Sequence, residues 1–197
     1  MGETRSDTED AVVDKRPLRV APMVVAAVAV VVAALFWILL AADSGSSMSA
    51  GTPLLNRPAP AATGLYSDGR PFELSRRKGS WVVLNFFTHD CVPCIREHPD
   101  LIEFVGQQRA LGLDGAEFYS IVRDSSRAEV EAFFAERGGD WPVVYDDRYE
   151  FVNNFGVALV PETWIISPDG FVRGRAISEV DADLLSGRIQ ALRDAGL

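Results

Sequence analysis

The stretch Trp81–Pro99, WVVLNFFTHDCVPCIREHP, decides the fold that we predict for this chain. Its first part, up to Phe87, is apolar except for Asn85 and rich in β-forming residues. That composition predicts a fully buried strand, because a half-exposed strand would alternate polar and apolar residues. A short loop follows, and a helix opens at Cys91-Val92-Pro93-Cys94. A proline is tolerated there, since the first N–H groups of a helix have no intrahelical partner to lose.

Cys91 and Cys94 are the only cysteines in the chain. A cysteine at a helix N-terminus lies near the positive end of the helix dipole and near free N–H groups, and both favour its thiolate. A second cysteine one turn further on is placed to attack a mixed disulfide and release a substrate. The spacing therefore predicts thiol–disulfide exchange, with Cys91 as the exposed nucleophile and Cys94 as the buried resolving thiol.

Two other interpretations of the cysteine pair are weaker. A zinc site needs two more ligands, and only His89 and His98 are available. Both lie directly beside the pair, without the loop that usually separates two ligand pairs. A purely structural disulfide would close a very short loop and would constrain the unfolded chain little.

The motif resembles the membrane-anchored TlpA/ResA-like thiol–disulfide oxidoreductases of the thioredoxin superfamily. Their pattern, about V-V-L-N-F-W-A-x-W-C-x-P-C-R-x-E-x-P, is matched by residues 82–87 and 91–99. The chain departs from it at Asp90, where the family has tryptophan. A second run at 155–170, FGVALVPETWIISPDG, is similar to the family's Y-G-V-x-x-x-P-x-T-F-L-I-D-x-x-G. The resemblance implies a thioredoxin-like α/β fold, in which helices flank a central mixed sheet.

The resemblance also implies further site residues. Pro161 would follow a cis peptide bond and pack against the cysteines, which leaves the Val160 backbone free to pair with an extended substrate. An ordinary trans proline at a strand start is the alternative. Glu97 would transfer a proton or tune the pKa of the buried thiol, unless it is a solvated helix carboxylate. Glu162 is a second candidate for this work. The candidate substrate-binding residues are Val160, Pro93 and Glu162.

Strand and helix patterns alternate after the cysteine motif. We predict strands at 116–122, 142–145 and 164–167, and helices at 127–137 and 181–195. This alternation indicates βαβ units with parallel strands.

Composition divides the chain into four parts. Residues 1–19 are polar and charged, and we predict a disordered cytoplasmic tail. Residues 20–42 carry no charge and are long enough to span a bilayer, which predicts a transmembrane anchor. A cleaved signal peptide is the alternative, although its apolar region would be shorter, about 7–15 residues. Residues 43–58 are rich in Ser, Gly and Pro and predict a flexible linker, and residues 59–197 form the thioredoxin-like domain.

Charge indicates the orientation of this anchor. Lys15, Arg16 and Arg19 flank its near end and Asp43 its far end, so the positive-inside rule places the N-terminus in the cytoplasm. The expected location is the cell membrane, with a single span and the catalytic domain outside the cytoplasm. The net charge of −9 argues against nucleic acid as a partner.

The expected function is extracytoplasmic exchange of disulfides with protein substrates. No flavin or nicotinamide motif is present, so we predict no cofactor and expect a membrane redox partner to supply electrons or oxidant. Asp90 should oppose the thiolate of Cys91, which favours a reductase, and a protonated His89 would offset it. The resemblance implies apocytochrome c as a substrate.

Three alternatives to a reductase stay open. The first is a disulfide-donating oxidase of the DsbE type. The second is a peroxiredoxin-like peroxidase, because Thr88 stands three residues before Cys91, although Leu84 replaces the proline of that pattern. The third is a non-catalytic, tethered module that binds partners in the groove at Pro161.

Overall fold

A computed structural model describes residues 21–41 and 51–197 of the chain. The predicted tail at 1–19 and the first part of the predicted linker lie outside the described residues. The chain divides into two compact units, with helix α1 (Ala21–Ala41) in the first and residues 51–197 in the second. Over the described residues, no helix is long and apolar enough to be identified as a membrane span. The transmembrane anchor therefore stays a prediction.

The second unit is built on one seven-stranded mixed sheet. Its strands are β1 (Thr63–Tyr66), β2 (Pro71–Glu73), β3 (Val82–Phe87), β4 (Glu117–Val122), β5 (Val143–Tyr145), β6 (Glu162–Ile166) and β7 (Val172–Ile177). They lie in the order β2-β1-β5-β4-β3-β6-β7. Strand β4 pairs in parallel with both β3 and β5, and the other pairings are antiparallel.

Helices pack on both faces of this sheet. They are α2 (Val92–Ala110), α3 (Arg127–Arg137), α4 (Glu150–Phe155) and α5 (Ala182–Asp194). Along β3, Val83 packs in a core with residues of α2 and α5, whereas Leu84 and Phe86 pack in a second core with residues of α4. Every residue of β3 is buried, which explains why its sequence does not alternate. The predicted mixed sheet with flanking helices is confirmed.

The antiparallel pairing of β6 with β3 positions the site. Because the two strands run in opposite directions, the start of β6 lies beside the end of β3, and Glu162 pairs with Phe86. The loop before β6 therefore arrives next to the loop that follows β3. Helix α2 begins from that second loop, with Cys91 as its N-cap.

The local predictions agree with the structure to within a few residues. The predicted helix at 127–137 is observed as Arg127–Arg137, and Ser126 caps it in a capping box with Glu129. The C-terminal helix begins after Asp181, whose side chain accepts a hydrogen bond from the Leu184 N–H.

The predicted end of the linker at residue 58 is wrong. The Asn56 N–H donates to the Val172 carbonyl, and the Val172 N–H donates to the Arg57 carbonyl, both at 2.9 Å. Leu54 packs against the core, and Pro58 forms a bridge with Phe171. Residues 54–58 thus belong to the folded unit along strand β7. Their Pro-rich composition resembles that of a linker, but backbone hydrogen bonding does not depend on composition.

Gly115, just before β4, tests how tightly α2 is joined to the sheet. A Cβ atom there would lie 2.0 Å from the Gln108 carbonyl oxygen, which belongs to the backbone and cannot move aside. We expect Gly115→Ala to lower the free energy of unfolding by about 1–3 kcal/mol through overpacking. Urea denaturation of the full chain measures the loss.

Gly106, within helix α2, provides the control. A Cβ atom at this exposed position meets nothing within 4 Å. Gly106→Ala should therefore stabilise the chain by up to about 1 kcal/mol, since alanine favours the helix more than glycine does. Equal effects of the two substitutions would contradict the assigned contact.

Candidate active site

The two cysteines lie at the N-terminus of α2 and are joined by a disulfide, with their Cα atoms 5.2 Å apart. The Cys91 sulfur accepts a hydrogen bond from the Cys94 N–H at 3.2 Å. Cys91 is partly exposed, whereas Cys94 is only 2% exposed. The predicted difference in exposure is thus confirmed. Because Cys91 is at the helix tip, a thiolate there would be stabilised by the helix dipole and by a backbone donor.

The loop before β6 forms the second wall of the site. The Val160–Pro161 peptide bond is cis, as the resemblance implied. The Val160 carbonyl oxygen lies 3.7 Å from the Cys91 sulfur. Pro161 is buried, whereas Val160 is partly exposed, and Leu159 beside it is 75% exposed. An extended segment that approached Cys91 would therefore pass the Val160 backbone. Pairing of a substrate with that backbone stays a prediction.

Pro93 lies in the first turn of α2 between the two cysteines and is partly exposed. The structure therefore places it at the rim of the site, on the same surface as Cys91. Its assignment as a substrate-binding residue stays a prediction.

Glu97 is a buried carboxyl group and not a solvated one. Its side chain is 1% exposed, one turn beyond Cys94 on the same helix. One carboxyl oxygen accepts a hydrogen bond from the Asn85 side-chain amide at 2.9 Å, and the other accepts from the Val180 N–H at 3.1 Å. Burial is the largest effect and raises the pKa of Glu97 to about 8, although both hydrogen bonds oppose that rise. The nearby carboxylate of Glu179 raises it further.

Glu162 does not join Glu97. Its carboxylate receives two hydrogen bonds from the Arg175 guanidinium, both at 2.9 Å, and one from the Trp164 indole at 2.7 Å. Side chains alternate along β6, so Thr163 faces the side of Asn85 and Glu97, and Glu162 faces the opposite side of the sheet. Its prediction as a second proton-transfer residue is therefore wrong. Its carboxylate forms an ion pair with Arg175 instead.

The two histidines, His89 and His98, lie in different surroundings. His98 is 4% exposed, its Nε2 bonds the Gly138 carbonyl at 2.9 Å, and its ring packs edge-on against Phe133. Burial lowers the pKa of His98. The ring of His89 shares a 3.0 Å hydrogen bond with the Ser125 hydroxyl. His98 is therefore a core residue. Among the described residues, no group of three or more His, Cys, Asp or Glu side chains is arranged to hold a metal ion.

Three residues in the hydrogen-bond network of Glu97 were not predicted as site residues. Asn85 stood out as the one polar residue in an apolar strand, and that interruption was the available signal. Thr163 accepts a hydrogen bond from the Asn85 amide at 3.1 Å. Val180 contributes a backbone N–H from a distant loop, and nothing in its residue type indicates this role.

The comparison with known protein families agrees with this geometry. The pattern described as the AhpC/TSA family matches residues 55–175, which is more than half of the chain. The chain belongs to the AhpC/TSA family.

Relatives of this AhpC/TSA chain include curated thiol–disulfide oxidoreductases. It is 28% identical over 125 residues to "Thiol-disulfide oxidoreductase ResA" of Bacillus thuringiensis (strain Al Hakam), a match that covers 64% of this chain and 70% of that protein. It is 31% identical over 106 residues to the protein of the same name in Bacillus subtilis (strain 168), covering 54% of this chain and 58% of that protein. The predicted resemblance to ResA-like proteins is confirmed.

A solved structure supports the fold of this AhpC/TSA chain. The thioredoxin domain of a thiol-disulfide oxidoreductase from Bacteroides vulgatus superposes with a TM-score of 0.61 at 21% identity. The superposition covers 72% of this chain and 99% of that domain. The predicted thioredoxin-like fold is confirmed.

The raised pKa of Glu97 should appear in the pH dependence of stability. The ordinary pKa of 4.5 applies in the unfolded chain and a pKa of about 8 in the folded one, so the folded chain holds an extra proton between these values. The contribution of Glu97 to the free energy of unfolding should therefore be largest below pH 4.5 and should fall as pH rises towards 8, by at most about 1.4 kcal/mol per pH unit. Chemical denaturation of the oxidised chain, in which the cysteines do not titrate, measures this slope.

Glu97→Gln should remove this contribution, so that the variant gains stability relative to the wild type as pH rises through this window. Glu103→Gln, which changes an exposed carboxylate on the same helix, is the matched control and should leave the slope unchanged. Parallel stability curves for the wild type and Glu97→Gln would show that Glu97 titrates normally.

Proposed function

We propose that this chain exchanges disulfides with the cysteines of other proteins and that it works outside the cytoplasm as a reductase. Its class, thiol–disulfide oxidoreductase, follows from the family and from relatives that carry that name. The observation that carries the proposal is the Cys91–Cys94 disulfide at the tip of α2, with Cys91 partly exposed, Cys94 buried, and a buried carboxyl group one turn further along the helix.

The exchange proceeds in two displacements. The Cys91 thiolate attacks a substrate disulfide, the substrate S–S bond breaks, and a mixed disulfide forms as the first substrate thiolate leaves. The Cys94 thiolate then attacks the Cys91 sulfur, which releases the second substrate sulfur and closes the Cys91–Cys94 disulfide. Two electrons pass to the substrate, so a thiol reductant from another protein must open the disulfide again.

Glu97 supplies the proton acceptor that the second displacement needs. A buried thiol has a raised pKa and does not ionise readily without a base. The pKa of Glu97, about 8, lies closer to that of a thiol, about 8.5 before burial raises it, than the pKa of an ordinary carboxyl group does, so moving the proton from Cys94 to Glu97 costs less free energy. A carboxyl group with an ordinary pKa would be a poorer base for this thiol.

The surroundings of Cys91 support the reductive direction. Asp90 is exposed immediately before Cys91, and its negative charge opposes a thiolate at the helix tip. A less stable thiolate makes the disulfide harder to reduce, so the reduced chain is the better electron donor. By resemblance to TlpA/ResA-like proteins, apocytochrome c is the substrate that we propose, and a membrane thiol reductant is the proposed redox partner.

A single-span anchor in the cell membrane is part of this proposal. Residues 20–42 carry no charge, basic residues precede them, and Asp43 follows them, which supports an N-terminus in the cytoplasm. The domain beyond would then face the extracytoplasmic space.

The reduction potential of the cysteine pair tests the direction of electron flow. Equilibration of the full chain with glutathione or dithiothreitol should give a value near or below that of thioredoxin, about −270 mV. A value near −120 mV, as in a strong disulfide donor, would overturn the reductase and favour the oxidase. Failure to form the disulfide at any redox poise would contradict the whole proposal.

Trapping tests the separate roles of the two cysteines. With a fluorescent peptide whose single cysteine is joined by a disulfide to a small activated leaving thiol, Cys94→Ser should accumulate a mixed disulfide at close to one peptide per chain, because the leaving thiol departs and the resolving thiol is missing. Cys91→Ser should accumulate far less, since its remaining sulfur is buried. Equal trapping by the two variants would contradict the assignment of Cys91 as the nucleophile and Cys94 as the resolving thiol. Rapid hydrogen peroxide consumption by the reduced wild type, without exchange on the peptide, would favour a peroxidase.

A further inference from the structure

Asn85 occupies an unusual place for an amide side chain. It lies in the middle of the central strand β3 and is 1% exposed. Its Nδ2 donates to Glu97 at 2.9 Å and to the Thr163 hydroxyl at 3.1 Å. Its Oδ1 is buried and finds no hydrogen-bond partner among the residues that the structure describes. A buried carbonyl without a partner costs free energy, and turning the amide over would bring this oxygen to the same two partners and leave the N–H groups in its place.

Glu97 provides a reason for a second arrangement. An ionised carboxylate only accepts hydrogen bonds, whereas a protonated carboxyl group also has one O–H to donate. The Val180 N–H at 3.1 Å is a backbone donor and stays a donor in both states. The Asn85 amide is the one side-chain partner of Glu97 in residues 51–197, and it carries both a donor and an acceptor.

Thr163 makes a reversal of the amide feasible. The two ends of an amide have nearly the same shape, and its terminal torsion is roughly two-fold, so the side chain can turn over within one envelope. A threonine hydroxyl can accept from an N–H or donate to a C=O. The contact between Asn85 and Thr163 therefore persists in both orientations, with its direction reversed.

We propose that Asn85 and Thr163 form a reversible amide–hydroxyl pair that lets Glu97 change its protonation state in the protein interior. When Glu97 is ionised, the amide N–H faces the carboxylate and Thr163 accepts the second N–H. When Glu97 is protonated, its O–H donates to Oδ1, and the Thr163 hydroxyl donates to the same oxygen. Both are positioning residues that act through Glu97. The use of this pair in disulfide exchange rests on the proposed function, whereas its coupling to the proton does not.

The other carboxyl groups around Glu97 shift its pKa in one direction only, upwards. Glu179, in the loop before α5, and Asp100, on α2, both disfavour the ionised carboxyl and raise the pKa of Glu97. Arg96 pairs with Glu179, and Asp181 at the start of α5 acts on Asp100. Strands β3 and β6 face Glu97 with Asn85 and Thr163, which are uncharged. Among these neighbours, only the amide and the hydroxyl can satisfy both states of Glu97 by changing their hydrogen bonds.

The test is made on the oxidised full chain, where the disulfide keeps the cysteines from titrating. In the labelled wild type, the NMR signals of the Asn85 Nδ2 protons should shift with the same midpoint as the Glu97 carboxyl carbon. They should move from hydrogen-bonded values at high pH to unbonded values at low pH. Nδ2 protons that remain hydrogen-bonded throughout the titration would overturn the proposal, and this measurement needs no variant.

Two substitutions at Thr163 test the role of the hydroxyl. In Thr163→Val each state loses its hydrogen bond to the Thr163 hydroxyl, but only the ionised state is left with a newly unpaired N–H, because in the protonated state Oδ1 still accepts from Glu97. The pKa of Glu97 should therefore rise, by up to about one unit, the cost of leaving that N–H unpaired. Thr163→Ser keeps the hydroxyl and should restore the wild-type pKa. Equal values for the valine variant and the wild type would overturn the role of Thr163.

The outcomes separate this pair from the proposed function. If the amide does not reverse but the peptide is trapped normally, the proposed oxidoreductase function stands and the proposed Asn85–Thr163 pair is contradicted. If the amide reverses but the chain does not trap the peptide, the coupling of the pair to the proton of Glu97 is supported and the proposed exchange function is contradicted.

Discussion

The carboxyl group of Glu97 is held in the protein interior between helix α2, strand β3 and the loop before α5. Desolvation penalises its charge, while hydrogen bonds from Asn85 and Val180 stabilise it, and the first effect is the larger. The result is an acid whose pKa is close to that of a thiol. A solvated glutamate at the same position would be ionised throughout the physiological range and would exchange protons with water instead.

This arrangement depends on how the sheet is ordered. Strand β3 lies between β4 and β6, so its side chains on one face can contact both α2 and β6. The antiparallel partner brings Thr163 opposite Asn85 and brings the Val160–Pro161 loop beside Cys91. One strand pairing thus positions both the buried hydrogen-bond network of Glu97 and the loop beside Cys91. The buried cysteine Cys94 and the buried carboxyl group of Glu97 are one turn of α2 apart.

Side chains alternate between the two faces of the sheet along β6, and this alternation keeps the carboxyl group of Glu162 away from that of Glu97. Thr163 faces the helix α2 side, so Glu162 must face the other side of the sheet. There it is paired with Arg175, since a buried carboxylate is tolerated when a guanidinium satisfies it. Glu97 has no such cation in hydrogen-bond contact among the described residues, which is why burial raises its pKa.

The sequence by itself determined the features that rest on local interactions. The apolar run before Cys91 predicted the buried strand, the cysteine spacing predicted a redox pair at a helix tip, and the residue pattern at 127–137 predicted α3. Each depends on residues within a few positions of one another, so composition and spacing carry the information. Tertiary structure decided the rest. Val180 contacts Glu97 across a sequence separation of 83, and Thr163 contacts Asn85 across 78. Burial and hydrogen bonding of a side chain depend on which distant segments pack around it, and no local pattern specifies them.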